Sequence, residues 1–102
     1  MLERVKRAVR TGAYRLTSHA EIEREAEAIF MAETEDAFGA ETLELLEEYP
    51  NDPRGFSGLY LGFTASGSPI HAVVGLSNPD TIVFVTLYRP DDAQWYHWRR
   101  RV

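Results

Sequence analysis

The chain contains no cysteine. That excludes structural disulfides, thiolate nucleophiles and thiolate metal sites, and it removes the main support for a small secreted scaffold. Lysine is almost absent too: Lys6 is the only one, so arginine carries nearly all the positive charge. No apolar run approaches the length of a membrane span. The opening residues, Met1-Leu2-Glu3-Arg4-Val5-Lys6-Arg7, lack the apolar core of a signal peptide. These absences point to a cytoplasmic domain with no membrane partner. No phosphate-cradling glycine loop occurs, since Gly55 and Gly58 lack the flanking pattern. No serine sits in a Gly-x-Ser-x-Gly elbow. Without repeats, low-complexity tracts or a long internal linker, residues 1–102 read as a single domain.

What is present is a sufficient apolar fraction, 44%, and an uneven charge. Residues 21–48 hold eleven acids against one base, Arg24, while residues 1–15 hold five bases against Glu3 alone. Four further arginines fall in residues 89–102. The net charge of −5 argues against strong general nucleic-acid binding, which depends on phosphate contacts. The distribution itself suits an acidic side for a basic partner and basic ends for an anion.

The most organised stretch is Ser18 to Phe30. Ser18 followed by Glu21 has the spacing of a capping box. At roughly 100° per residue, Ile22, Ala26, Ile29 and Phe30 share one arc, which is expected to face the core. His19 and Glu23 fall inside or at the edge of that arc. They are therefore expected to form a buried structural polar pair. Their i, i+4 spacing suits two metal ligands, but a third would have to come from elsewhere, and neither a metal nor a cofactor is expected.

Leu2, Val5, Ala8 and Val9 predict a helix over residues 2–11, stopped at Gly12. Residues 13–17 read as a short strand and 31–38 as a second short helix ended by Gly39. Residues 41–49 mix helix-favouring Leu and Glu with a Leu43/Leu45 alternation; a strand over 43–49 is expected. Residues 50–55 are a loop by composition. Alternation then predicts strands over 58–64, 69–77 and 81–89, the last apolar on both faces and so expected at the sheet centre. Residues 91–98 suggest a final helical turn or two. The fold class is α+β: an antiparallel twisted sheet with helices packed on one face.

If Ile70, Ala72 and Val74 lie under the helices, His71 lies on the open face of the sheet. By the same parity Arg89 joins it, and a groove lined by His71, Arg89 and a neighbouring tyrosine could hold an anion or an RNA backbone. Trp95-Tyr96-His97-Trp98-Arg99-Arg100-Arg101 has two readings: a stacking and phosphate-binding segment, or two tryptophans anchored on the core with wet arginines.

The ordered set Leu16-Thr17-Ser18-His19-Ala20, Ile29-Phe30, Tyr49-Pro50-Asn51-Asp52-Pro53-Arg54-Gly55, Leu61-Gly62-Phe63, Pro69-Ile70-His71 and Thr86-Leu87-Tyr88-Arg89-Pro90 resembles the domain-of-unknown-function family DUF4258 over about residues 13–95. That family is distantly similar to RelE/BrnT-type toxins. The resemblance implies a RelE/BrnT-like fold, an antitoxin or other protein partner, and a sheet face directed at RNA. In that reading His71, Arg89 and Tyr88 would be catalytic in a metal-independent endoribonuclease, a histidine acting on a 2′-hydroxyl. Arg54, Arg99 and Arg100 would bind RNA. The alternative is a non-catalytic interaction module that uses the acidic 21–48 surface.

Overall fold

The computed structural model describes residues 1–102. Helix α1 (Leu2–Thr11) buries Val5, Ala8 and Val9, the stripe that its three-and-four spacing marks, and stops at Gly12, whose φ of 78° is the left-handed conformation glycine adopts without strain. The short strand β1 (Tyr14–Leu16) leads into helix α2 (Ser18–Ala26), and a tight linker carries the chain into helix α3 (Met31–Phe38). Four strands follow: β2 (Glu44–Tyr49), β3 (Ser57–Phe63), β4 (Pro69–Gly75) and β5 (Ile82–Tyr88). The strand expected over 43–49 thus forms, over Glu44–Tyr49. The segment expected to form a last helical turn is instead a small hairpin, β6 (Trp95–Tyr96) paired with β7 (Arg100–Arg101).

The five-stranded sheet has the order β1-β5-β4-β3-β2. Every pairing is antiparallel except β1 with β5. The central strand is β4 and not β5. On one face, Tyr60, Ile70, Ala72, Val74, Ile82, Phe84 and Leu87 pack against Val5, Val9, Ala20, Ala37 and Phe38 of the helices. The opposite face is not open. Leu59 and Leu61, which alternate with Tyr60, are buried outside that cluster, and the β6–β7 hairpin lies over their side of the sheet.

Two bulges control which side chains share a face. Leu45 pairs with Tyr60 and Glu47 with Leu59, so Leu46 is an extra residue in β2. Val73 pairs with Thr86 and Val74 with Phe84, so Val85 is an extra residue in β5. Each insertion reverses the alternation beyond it.

Helix α2 departs from its expected orientation. Thr17, not Ser18, is the N-cap, and its hydroxyl accepts from the Ala20 amide at 3.1 Å. The helix ends at Ala26, and Ala28 takes a φ of 53°. Ile29 is buried as its place on the arc suggests, but Ala26 is exposed and Ile22 and Phe30 are 68% and 71% exposed. The physical reason lies in the edge of the sheet. β1 pairs only with the first half of β5, so the second half has backbone groups without a strand partner. Helix α2 supplies partners from its side chains. Thr17 donates to the Val85 carbonyl, Glu23 accepts from the Leu87 amide at 3.0 Å, and Glu27 accepts from the Arg89 amide at 3.2 Å. One helical turn between Glu23 and Glu27 rises about 6 Å, close to the two-residue repeat of a strand. Satisfying buried backbone donors outweighs burying Ile22.

Glu23→Ala leaves the Leu87 amide unpaired. It is expected to lower stability by about 1–3 kcal/mol. His19→Ala is expected to stay within about 0.5 kcal/mol, as is usual for an exposed site. Parallel thermal melts of the two variants check the ordering; an equal effect would mean that Glu23 acts only through His19.

Candidate functional site

On the face opposite the helices, one register row crosses four strands: Glu44 of β2, Leu61 of β3, His71 of β4 and Tyr88 of β5. Glu47 pairs with Leu59 in the next row of the same face. It shares the face with Glu44, three residues away, only because Leu46 is bulged out. His71 is fully buried. Its Nε2 lies 2.6 Å from the Trp98 carbonyl, and its Nδ1 lies 3.1 Å from the Tyr88 hydroxyl. A carbonyl only accepts, so Nε2 carries the proton; in the neutral ring Nδ1 then accepts from the Tyr88 hydroxyl. The Trp95 ring meets the imidazole edge-on at 4.5 Å.

The β6–β7 hairpin covers this row and is fastened by two arginine–carboxylate forks. Arg99 donates to both oxygens of Glu44 at 2.8 and 2.7 Å, and Arg101 to both oxygens of Glu47 at 3.1 and 3.0 Å. Glu47 also accepts from the Tyr49 hydroxyl. The Arg101 guanidinium stacks over Trp95 at 4.7 Å. Arg100 faces the other way, over the Tyr96 ring at 5.1 Å.

Sequence reading placed His71, Tyr88 and Arg89 in one groove. The structure brings His71 and Tyr88 together and puts Arg89 elsewhere. Parity counting paired His71 with Arg89, but the Val85 bulge breaks the count, and it is Tyr88 that stands opposite His71. Arg89 instead fastens the α2–α3 linker. It donates to the carbonyls of Glu27 and Ala28 at 3.1 Å each and to Glu33 at 3.3 Å. Arg54 is held by Asp52 at 3.0 and 2.9 Å, in the loop between β2 and β3. With Arg99 on Glu44, none of these three guanidiniums is free of an internal carboxylate. His19, expected to be largely buried, has its side chain 66% exposed, though it keeps its contact with Glu23 at 3.3 Å. No group of three His, Asp or Glu side chains converges in the chain. Glu44, Glu47 and Trp95 were missed as members of this site, because only the two bulges and the hairpin bring them to it.

A separate cleft of about 160 Å³ opens between α1 and the β4–β5 turn, lined by Arg4, Arg7, Thr11 and Asp80 among others. Arg4 is committed there to the Leu76 and Asn78 carbonyls.

Burial pushes the His71 imidazole below its ordinary value of 6.5, while the hydrogen bond to Trp98 opposes the shift. A depressed histidine binds a proton more readily in the unfolded chain. Its contribution is therefore complete above pH 6.5 and is lost as pH falls through the folded value. The carboxylates whose titration is depressed, among them Glu33, Glu41, Glu44 and Glu47, act only below their ordinary 4.5. Stability is therefore expected to fall between pH 6.5 and 5 in the wild type and to stay flatter there in His71→Gln. Urea titrations at the two pH values check this; parallel curves would show that another group titrates.

The family model described as domain of unknown function (DUF4258) matches residues 1–89. The chain belongs to the DUF4258 family. The match takes in α1, outside the span on which the sequence resemblance rested, and ends one residue beyond β5. In this DUF4258 chain the row Glu44, Leu61, His71, Tyr88 thus lies within the matched domain, and the hairpin that covers it lies beyond. No curated protein and no solved structure matches the chain.

Proposed function

We propose that this DUF4258 chain is a non-catalytic protein-interaction module that meets a basic partner through its acidic 21–48 segment. Most of that segment's charge is used internally. Glu21 pairs with Arg24, Glu35 accepts from Tyr14, and Glu41 holds Arg10 and Lys6, in addition to the partners of Glu23, Glu27, Glu33, Glu44 and Glu47 already described. Glu25, Asp36 and Glu48 remain exposed with no side-chain partner. The observation that carries the reading is that Ile22 and Phe30, 68% and 71% exposed, stand on the same segment as these free acids. Large apolar side chains with unpaired acids on one segment suit a basic amphipathic partner segment.

The test compares retention of a stoichiometric partner by the tagged wild type, by Ile22→Ser/Phe30→Ser and by Glu25→Lys/Asp36→Lys/Glu48→Lys. None of these substitutions breaks an internal bond. Retention by the wild type that is lost in both variants and weakened by salt is expected. Retention unaffected by either variant would move the contact off this segment.

One observation favours a second reading, the RNA-directed, toxin-like protein similar to RelE/BrnT toxins, with an antitoxin as partner. A neutral imidazole is hydrogen-bonded to a tyrosine on a sheet face. With the hairpin lifted, Nε2 loses the Trp98 carbonyl; the ring proton then sits on Nδ1 and is donated to the Tyr88 oxygen, which leaves Nε2 as the base that takes the proton of a 2′-hydroxyl. Arg89 has no place in that chemistry. Expression toxicity and RNA cleavage that disappear in His71→Ala and Tyr88→Phe, with folding intact, would favour this reading over the first.

A further inference from the structure

We infer that the sheet face bearing Glu44, Glu47 and His71 is a docking groove for an extended arginine-bearing segment of a partner protein, and that the β6–β7 hairpin fills it in cis as a displaceable strap. The inference rests on the interaction-module reading but uses a different face of the domain. The groove is built by the matched domain alone. Glu44 and Glu47 face the same way because Leu46 is bulged, and both arginine forks to them come from residues beyond the match. Lifting the hairpin would leave two carboxylates, a neutral imidazole and the apolar floor of Leu59 and Leu61, with no cation of the domain bonded to either acid.

The occupant seen in cis defines the chemistry required. Arg99 and Arg101 are two residues apart, so in an extended segment they project to one side, while Arg100 projects to the other. Each of the two makes a planar fork with one carboxylate, a geometry lysine does not reproduce. A tryptophan edge on His71 and a backbone carbonyl facing His71 Nε2 complete the pattern. A partner segment with arginines at alternate positions and an aromatic nearby satisfies it equally.

The strap is also built to yield. His97 and Trp98, the two central residues of its turn, have φ of 50° and 62°. Side chains rarely adopt such angles, and turns of this kind normally use Asn and Gly. The forks are solvent-facing on the arginine side, where ion pairs are readily screened.

The test uses the full chain and a labelled synthetic peptide of residues 94–102 as the probe, followed by fluorescence anisotropy. Arg99→Ala/Arg101→Ala unlatches the strap and is expected to bind the peptide at least about tenfold more tightly than the wild type. Adding Glu44→Gln/Glu47→Gln is expected to remove that gain, as is replacing Arg99 and Arg101 of the peptide by lysine. A folded, unlatched variant that binds no better than the wild type would overturn the inference, as would binding indifferent to Glu44 and Glu47. Should the unlatched variant not fold, hydrogen exchange in the wild type decides. Excess peptide is expected to speed exchange of the Arg99 and Val102 amides, which bond within the hairpin; unchanged exchange would overturn the inference. Peptide binding that depends on Glu25, Asp36 and Glu48 but not on Glu44 and Glu47 would remove the groove and leave the broader interaction reading standing.

Discussion

Phe84→Ala is expected to lower the unfolding free energy by about 3–5 kcal/mol. Phe84 is fully buried on the helix face of β5. Its ring meets Tyr14 edge-on at 5.7 Å and Phe38 edge-on at 5.4 Å, so it joins β1, α3 and the sheet at one point. Truncation removes the apolar area and leaves a cavity bounded by three different elements. A backbone carbonyl of the same residue accepts from the Thr17 amide, and the neighbouring register to β1 pins the strand, so the site has little freedom to collapse. A domain of this size has a stability of about 5–15 kcal/mol, so the loss is a large share of it. The melting midpoint is expected to fall by about 12 °C or more. A fall of under about 5 °C would show that the three rings do not pack as described.

Gly62→Val is expected to abolish stable folding, and Gly62→Ala to cost about 1–3 kcal/mol. The reason is close approach and not backbone conformation. A Cβ at position 62 would lie 2.7 Å from the Ala37 carbonyl oxygen and 2.9 Å from the Ala37 Cβ. Those atoms belong to α3, so the helix must move off the sheet to make room. Gly67 is a useful contrast, since a Cβ there meets nothing within 4 Å, although its φ of 84° favours glycine. Denaturant unfolding of Gly62→Ala beside Gly67→Ala separates the two causes. A larger loss at position 67 would mean that backbone strain dominates over the contact with α3.

The three candidate RNA-binding arginines illustrate how sequence composition misleads about availability. Arg54 and Arg99 are positive in the sequence but each is forked onto a carboxylate in the structure. Arg100 is exposed and stacks on Tyr96. The acids are used in the same way, so the charge separation along the chain is largely cancelled inside the molecule. The second tryptophan-arginine reading, aromatics anchored on the sheet, holds for Trp95, which is buried; the arginines, however, serve as fasteners and not as a wet fringe.

Much of the fold was legible because it depends on local periodicity. The helix over residues 2–11 with its stop at Gly12, the helix over 31–38, and the strands near 43–49, 58–64, 69–77 and 81–89 all follow from spacing, alternation and turn residues that act over a few positions. The α+β class follows from their order. Absolute facts were legible as well: without cysteine, thiolate chemistry has no residue to use.

Three things were decided only by the tertiary structure. One is the orientation of α2: which helix face docks depended on unpaired amides of β5, and an unpaired strand edge is a property of the assembled sheet. Another is the face on which each strand residue lies beyond a bulge. Leu46 and Val85 look like ordinary alternating positions in the sequence, yet each inserts one residue, and one inserted residue reverses the parity of everything after it. That is why His71 meets Tyr88 and not Arg89. The last is the closure of the sheet face. That residues 95–101 are aromatic and basic is plain from their composition; that they turn back over Glu44, Glu47 and His71 depends on partners 27 to 55 positions away, and contacts at such separation leave no trace in local pattern.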